Sequence, residues 1–358
     1  MVFRFRTLSA ALLTFLISQS AALQASSSQP AQAPIPVKVV VVAMFELGND
    51  TGDRPGELQY WVERDHLDHV YEVPAAYHSV RMNDRGEMAI LTGAGTAHAA
   101  ATLMAVGQDP RFDFSHAYWI IAGISGGNPK RVSLGSAVWA NWVVDGDLAY
   151  EIDEREIPKN WPTGYVPLRK TIPFERPAEP TPNQVFELNH GLEKWAYRLT
   201  KDIPLADDEK LRAIRGNYDG KAAQLPPIVT EGDEISSSTF WHGKLLDKWA
   251  DEWITYFTNG QGHFATTAME DTGTLLSIDG LAAAGKADGN RVLVLRTISN
   301  FDQQPRGLDA ATSLARQRLG SYSAYMPSLE AAYTVGHTVV NELLTHWSRY
   351  SSAIPSAQ

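Results

Sequence analysis

Hydrophobic positions along the chain fall into two kinds of run. The segments PVKVVVVAMF (36–45), AYWIIAG (117–123) and RVLVLRTISN (291–300) are apolar at nearly every position. A strand covered on both faces has that look, because its successive side chains alternate between two buried sides. Between these runs lie segments of helical character. TAHAAATLMAVG (96–107) is Ala-rich and stops at Gly107, and LLDKWADEWITYFT (245–258) spaces its aromatic residues by three and four. MEDTGTLLSIDGLAAAG (269–285) and SLEAAYTVGHTVVNELLTHW (328–347) are two more predicted helices.

Shorter signals complete the order of elements. SVRMNDRGEMAILTG (79–93) places Asn83 to Gly86 between two alternating segments and predicts a hairpin. GSAVWANWVVDGD (135–147) reads as one further strand, NQVFELNHGLEKWAYRLT (183–200) as helical, and IVTEGDEISSSTFWHG (228–243) as a strand running into a polar loop with aromatic residues at its tip. Buried strands that alternate with helices from end to end predict a single-domain three-layer α/β sandwich with a central mixed sheet. Residues 151–182 are charged and proline-rich without a period, and read as an irregular insertion.

The N-terminus changes the domain picture. Arg4 and Arg6 precede an apolar run from Leu8 to Ile17, followed by small residues through Ala25. That is the three-zone pattern of a secretory signal, so residues 1–25 are assigned to a signal peptide, 26–35 to a linker and 36–350 to the α/β domain. Export to the periplasm is the expectation. The absence of cysteine removes both disulfides and a lipid-attachment thiol. No later stretch reaches the length of a membrane-spanning helix. A net charge of -10 opposes a phosphate-backbone footprint, so nucleic acid is not an expected partner.

Candidate chemistry gathers at strand ends, where ligands bind in open α/β sheets. Two glycine clusters stand there: Gly93 with Gly95, and Gly123 to Gly127, the latter enclosing Ser125. Glycine lets main-chain N–H groups approach a small ligand. Glu46 and Asp302 each follow a buried run and are candidates for activating water or moving a proton. Asn300 offers an acceptor and two donors, suited to a heterocycle edge. Met269 and Glu270 open a helix, where a carboxylate can take a vicinal diol and a thioether can lie on a sugar ring. Phe240 and Trp241 are candidates to stack on a planar base. His66 and His69 lack a third ligand and read as a solvated face, so neither metal nor cofactor is expected.

In order along the chain, LTGAGTAHAAATLMAV, YWIIAGISGGNPKRVSLGSAVWANWVVDGD, AMEDTGTLL and VLVLRTISNFDQQ resemble the motifs of the nucleoside phosphorylase and nucleosidase superfamily. MFELGNDTGDRPGELQYW and SSSTFWHGK are similar to the purine nucleoside permease family within it. The resemblance implies a purine nucleoside as the small-molecule partner, with Met269 and Glu270 on the ribose, Phe240 on the base, Asn300 on the purine ring and Glu46 on the water. It also marks departures. An amide, Asn300, stands where the superfamily usually has an acid, so leaving-group protonation would fall to Asp302. Ile124 occupies the usual position of a phosphate-contacting serine, with Ser125 one place later, and the arginine-bearing Gly-Asp-Pro turn is absent. Cleavage of the N-glycosidic bond by water is therefore expected over phosphorolysis, with phosphate kept as the competing nucleophile. A non-catalytic nucleoside-uptake component is the alternative, and a homo-oligomer is left open.

Overall fold

The computed structural model describes residues 33–356. The expected signal segment, 1–25, and the linker through residue 32 lie outside the described residues. From Pro34 on, the described chain is one compact unit.

The strand Val39–Ala43 is buried at every position. Val40 and Val42 pack with Leu103, Val106, Ile278 and Leu281, which belong to the helices Thr96–Gly107 and Asp271–Ala283. Val39, Val41 and Ala43 pack with Val335, Val339 and Leu343 of the helix Tyr325–Thr345. Because alternate residues of a strand face opposite ways, a run without polar positions needs a covering layer on each side. The result is a three-layer α/β sandwich. The two helices on the first face touch closely, since a Cβ on Gly273 would fall within 2.8 Å of the carbonyl carbon of Thr96.

The sheet is mixed. Val39–Ala43 lies between two parallel neighbours, Glu87–Leu91 and Tyr118–Gly127. Tyr118–Gly127 also runs parallel to Val292–Phe301, and at its far end meets Phe264–Ala268 antiparallel. Val292–Phe301 pairs antiparallel with Ala137–Trp139. The predicted hairpin forms between Val80–Met82 and Glu87–Leu91.

Three segments are divided differently from the sequence expectation. GSAVWANWVVDGD makes two strands, Ala137–Trp139 and Trp142–Asp145. The backbone amides of Asn141 and Trp142 both donate to Asp233 Oδ1 at the break, which holds the chain out of the ladder. IVTEGDEISSS likewise breaks at Gly232 into Val229–Glu231 and Asp233–Ser236, which pair with those two strands in turn. In NQVFELNHGLEKWAYRLT only His190–Thr200 is helical, because the Asn189 side chain accepts from the amides of Gly191 and Leu192 and caps the helix there. Val185–Glu187, just before the cap, is a strand beside Trp142–Asp145. The strand Phe264–Ala268, with Ala and Thr at four of its five positions, gave no signal of its own. Within 151–182 a short strand, Tyr165–Pro167, pairs with Ala149–Glu151. Among the described residues no helix is long and apolar enough to cross a membrane.

Candidate functional site

A cavity opens where the carboxyl ends of Val39–Ala43, Tyr118–Gly127, Phe264–Ala268 and Val292–Phe301 converge. Ser125, Phe240, Met269, Glu270 and Asn300 line it, as does Ala94, which sits between Gly93 and Gly95. Both glycines have positive φ, +80° and +92°, so the turn they make is closed to residues with a Cβ. No Lys, Arg or His is among the residues that line this cavity.

Glu270 precedes the helix Asp271–Ala283 and is buried. Its Oε1 accepts from the amide of Gly95 at 3.1 Å and its Oε2 from that of Met269 at 3.2 Å. The glycine turn therefore serves to seat this carboxylate. Burial and the adjacent Asp271 push the Glu270 pKa up, while Arg296 and the two amides act against them.

A second carboxyl, Glu57, also faces the cavity, and the sequence did not single it out. It lies in the polar loop GNDTGDRPGEL, with only Gly56 beside it as a signal. A Cβ at Gly56 would stand 2.7 Å from the Glu46 Cα and the Phe45 carbonyl oxygen, so glycine is what brings the loop back against the strand end. Glu57 Oε2 accepts from the amide of Met44 at 2.7 Å and Oε1 from that of Ile124 at 2.6 Å. Gly123 makes room for the group, since a Cβ there would lie 2.6 Å from Glu57 Oε1 and 2.5 Å from Arg296 Nη1. Burial, with the negative charge of Glu270, pushes the Glu57 pKa up to about 8 despite Arg296 and the two amides.

Arg296 stands behind both carboxyls and is almost wholly buried. Its Nη2 pairs with Asp271 and lies 3.6 Å from Glu270 Oε2, its Nε lies 3.4 Å from Glu234 Oε2, and its Nη1 donates to the Ile124 carbonyl at 3.3 Å. Four carboxyls around one guanidinium cannot all be ionised in a low dielectric. Burial, reinforced by Asp271, raises the Glu234 pKa well above the carboxylate range, and Glu57 is also largely protonated at neutral pH. Asp271 is the guanidinium's hydrogen-bonded carboxyl partner, and Glu270 lies next to it.

At the other end of the cavity Asn300 is fixed in orientation. Its Oδ1 accepts from the Ser299 hydroxyl at 2.8 Å and its Nδ2 donates to the Phe301 carbonyl at 3.3 Å. One amide N–H remains for a ligand. The Ser125 hydroxyl lies 3.5 Å from the Thr297 carbonyl.

Besides Gly93 and Gly95, three sequence candidates lie outside the cavity wall. The Glu46 carboxylate accepts from the amides of Leu47, Gly56, Leu58 and Gln59 and so organises the loop that carries Glu57. Asp302 is buried beyond Asn300, and neither of its carboxyl oxygens has a hydrogen-bond partner among the described residues. Burial raises its pKa well above the usual range, Asp247 adds to this and Lys130 opposes it. Trp241 is buried against Trp249 and Phe264, with ring centroids 6.1 Å away in each case.

This sheet, with a cavity at its strand ends, is the fold of the nucleoside phosphorylases and nucleosidases. A 5'-methylthioadenosine/S-adenosylhomocysteine nucleosidase of Helicobacter pylori superposes on 86% of this chain and 99% of its own, with a TM-score of 0.52 and 13% identity. A futalosine hydrolase of the same species covers 86% and 98%, with a TM-score of 0.50 and 12% identity. The chain belongs to the purine nucleoside permease family, whose model matches residues 36–355. A probable purine nucleoside permease of Schizosaccharomyces pombe is 29% identical over 333 residues, 88% of this chain and 91% of that protein. A purine nucleoside permease of Candida albicans is 27% identical over 334 residues, 91% and 79% of the two chains.

Proposed function

We propose that the protein binds purine ribonucleosides in this cavity and hydrolyses their N-glycosidic bond. The observation that carries the reading is the pair of buried carboxyls on the wall, Glu270 and Glu57, with no basic side chain among the residues that line the cavity. Glu270 is the acceptor for the ribose 2′ and 3′ hydroxyls, with Met269 against the ring. Phe240 stacks on the base, and the free N–H of Asn300 meets an acceptor on the purine.

The part expected of Glu46 passes to Glu57, whose carboxyl faces the cavity and whose pKa of about 8 lies close to neutral pH, where a general base is most effective. As the bond between the anomeric carbon and the base nitrogen lengthens, positive charge builds on the ribose. Glu270 and ionised Glu57 stabilise that charge more than they stabilise the ground state. Water adds to the anomeric carbon as the bond to the base breaks, Glu57 takes the water's proton and later returns it to solvent, and the departing base is protonated from solvent, leaving ribose and free purine. The Asn300 amide holds the base during departure by a hydrogen bond.

Water is favoured over phosphate on electrostatic grounds. A dianion beside the ribose needs cationic or N–H donors aimed at it. Here the amides of Gly95 and Met269 already bind Glu270, and those of Met44 and Ile124 already bind Glu57. Base release from inosine, guanosine or adenosine with and without phosphate is the test. Activity that requires phosphate and yields ribose 1-phosphate would refute hydrolysis and leave the nucleoside assignment intact.

A second reading, nucleoside capture for uptake, draws on the permease names of the relatives and on the amide at the leaving-group end of the cavity, where an acid would aid cleavage. With no membrane-crossing helix among the described residues, capture would hand the nucleoside to a separate carrier. Tight binding without turnover would favour it. For either role we propose export, supported by the basic, apolar and small-residue zones of residues 1–25; mass spectrometry of the mature chain should find its N-terminus near Ser26 or slightly earlier, at Leu23.

A further inference from the structure

Tyr322 lines the cavity mouth opposite Phe240 and belongs to no motif that the sequence singled out. The two rings are parallel to within 4°, with centroids 6.3 Å apart. A planar heterocycle held between two rings needs about 7 Å, one carbon–carbon contact distance on each side. The centroid distance is the upper limit of the spacing between the ring planes, so the slot must widen to admit the heterocycle.

The surroundings allow that opening. Phe240 is 40% exposed, on the loop after Asp233–Ser236. Tyr322 lies between the helices Ala310–Leu314 and Tyr325–Thr345, in a stretch where Gly320 has φ +76°. This stretch is held where Arg54 donates to the Gly320 carbonyl and where the Ala324 amide donates to the Ser299 carbonyl. Arg54 in turn belongs to the loop organised by Glu46, so one anchor of the far wall lies on the same loop that presents Glu57. The Tyr322 hydroxyl has no hydrogen-bond partner among the described residues, and burial, followed by the charges of Glu270 and Glu57, raises its pKa. The ring therefore stands in the field of both cavity carboxyls, and no contact of its own hydroxyl fixes it in place.

We infer that Tyr322 is the second wall of the base slot, so that the purine is held between Phe240 and Tyr322. This rests on the nucleoside-binding reading and adds a residue that sets affinity for the base itself. Stacking, unlike hydrogen bonding by Asn300, acts on the whole π face, so Tyr322 contributes to every purine alike.

The test is calorimetric titration of the mature protein with free hypoxanthine and with inosine, for the wild type, Tyr322→Phe and Tyr322→Ala. The expected result is that Tyr322→Phe binds hypoxanthine within about twofold of the wild type, while Tyr322→Ala weakens hypoxanthine and inosine by the same factor, about tenfold or more. Equal hypoxanthine binding by Tyr322→Ala and wild type would overturn the slot, as would an equal loss in Tyr322→Phe, which would assign the effect to the hydroxyl. A wild-type protein that binds neither ligand would overturn the nucleoside reading together with the slot, an outcome distinct from either variant result. If the alanine variant does not fold, Tyr322→Leu, which keeps apolar bulk and removes the aromatic face, takes its place: the same loss for both ligands is expected, and hypoxanthine binding equal to wild type would overturn the slot.

Discussion

Replacing Glu57 with Gln tests the proposed chemistry most directly. With its pKa at about 8, roughly one Glu57 in ten is ionised at pH 7, and that fraction rises about tenfold per pH unit below 8 before levelling off. If the ionised form accepts the proton of the water, kcat/KM for nucleoside hydrolysis should climb between pH 6 and 8 and then plateau. Glu57→Gln cannot ionise. It should lower kcat/KM by about 10²- to 10⁴-fold, or about 3 to 5 kcal/mol of barrier, and abolish the climb. The substitution also has a structural cost. Both carboxyl oxygens accept from backbone amides, Met44 N and Ile124 N, so the new amide nitrogen must face one of these donors. That costs about 1 to 3 kcal/mol of stability, to be measured by urea unfolding so that rates are compared on folded protein. A wild-type profile that is flat or falls from pH 6 to 8, or a folded variant within about threefold of wild-type activity, would refute the assignment of Glu57 as base.

Glu270→Ala should lose ribonucleoside affinity by several kcal/mol while free purine binds nearly as before, since the hydrogen bonds it removes are those to the sugar; calorimetry with inosine and hypoxanthine separates the two, and an equal loss for both would make Glu270 structural. Gly123→Ala should impair both stability and activity, because its Cβ would meet Glu57 Oε1 and Arg296 Nη1 at 2.6 and 2.5 Å, and near wild-type kcat/KM would contradict that packing. Stability should decline as pH rises from about 4.5 to about 8. The folded-state pKa of Glu57 is raised, so its contribution is complete below the unfolded value of 4.5 and is lost as pH passes about 8, at about 1.4 kcal/mol per pH unit for each such group. Glu234 and Asp302 are raised in the same direction, and His78, raised from 6.5 chiefly by its hydrogen bond to Asp50, adds the same sign. A urea midpoint higher at pH 8 than at pH 5 would contradict this.

The fold was legible because its central strands are apolar at every position, and only a layer on each side can bury such a run. What the sequence hid were breaks set by contacts distant in the chain. Asp233 interrupts a strand some ninety positions before it by accepting from Asn141 and Trp142, and no local window contains both partners. The candidate site divides along the same line. Ser125 and Asn300, at the ends of buried runs, reach the cavity because strand direction puts them there, and Met269 and Glu270 reach it from the start of a helix. Glu46 and Glu57 both follow the first strand, and the nearer acid was the natural choice to face the ligand. The loop decides otherwise. Gly56 permits its close return to the strand end, four amides of the loop draw in the Glu46 carboxylate, and the carboxyl that returns to the cavity is Glu57. Which of two neighbouring acids faces the cavity is thus set by backbone donors that a sequence does not place in space. Tyr322 is hidden for the same reason, because it reaches the cavity from a loop between helices whose position depends on a tether to Arg54, far earlier in the chain.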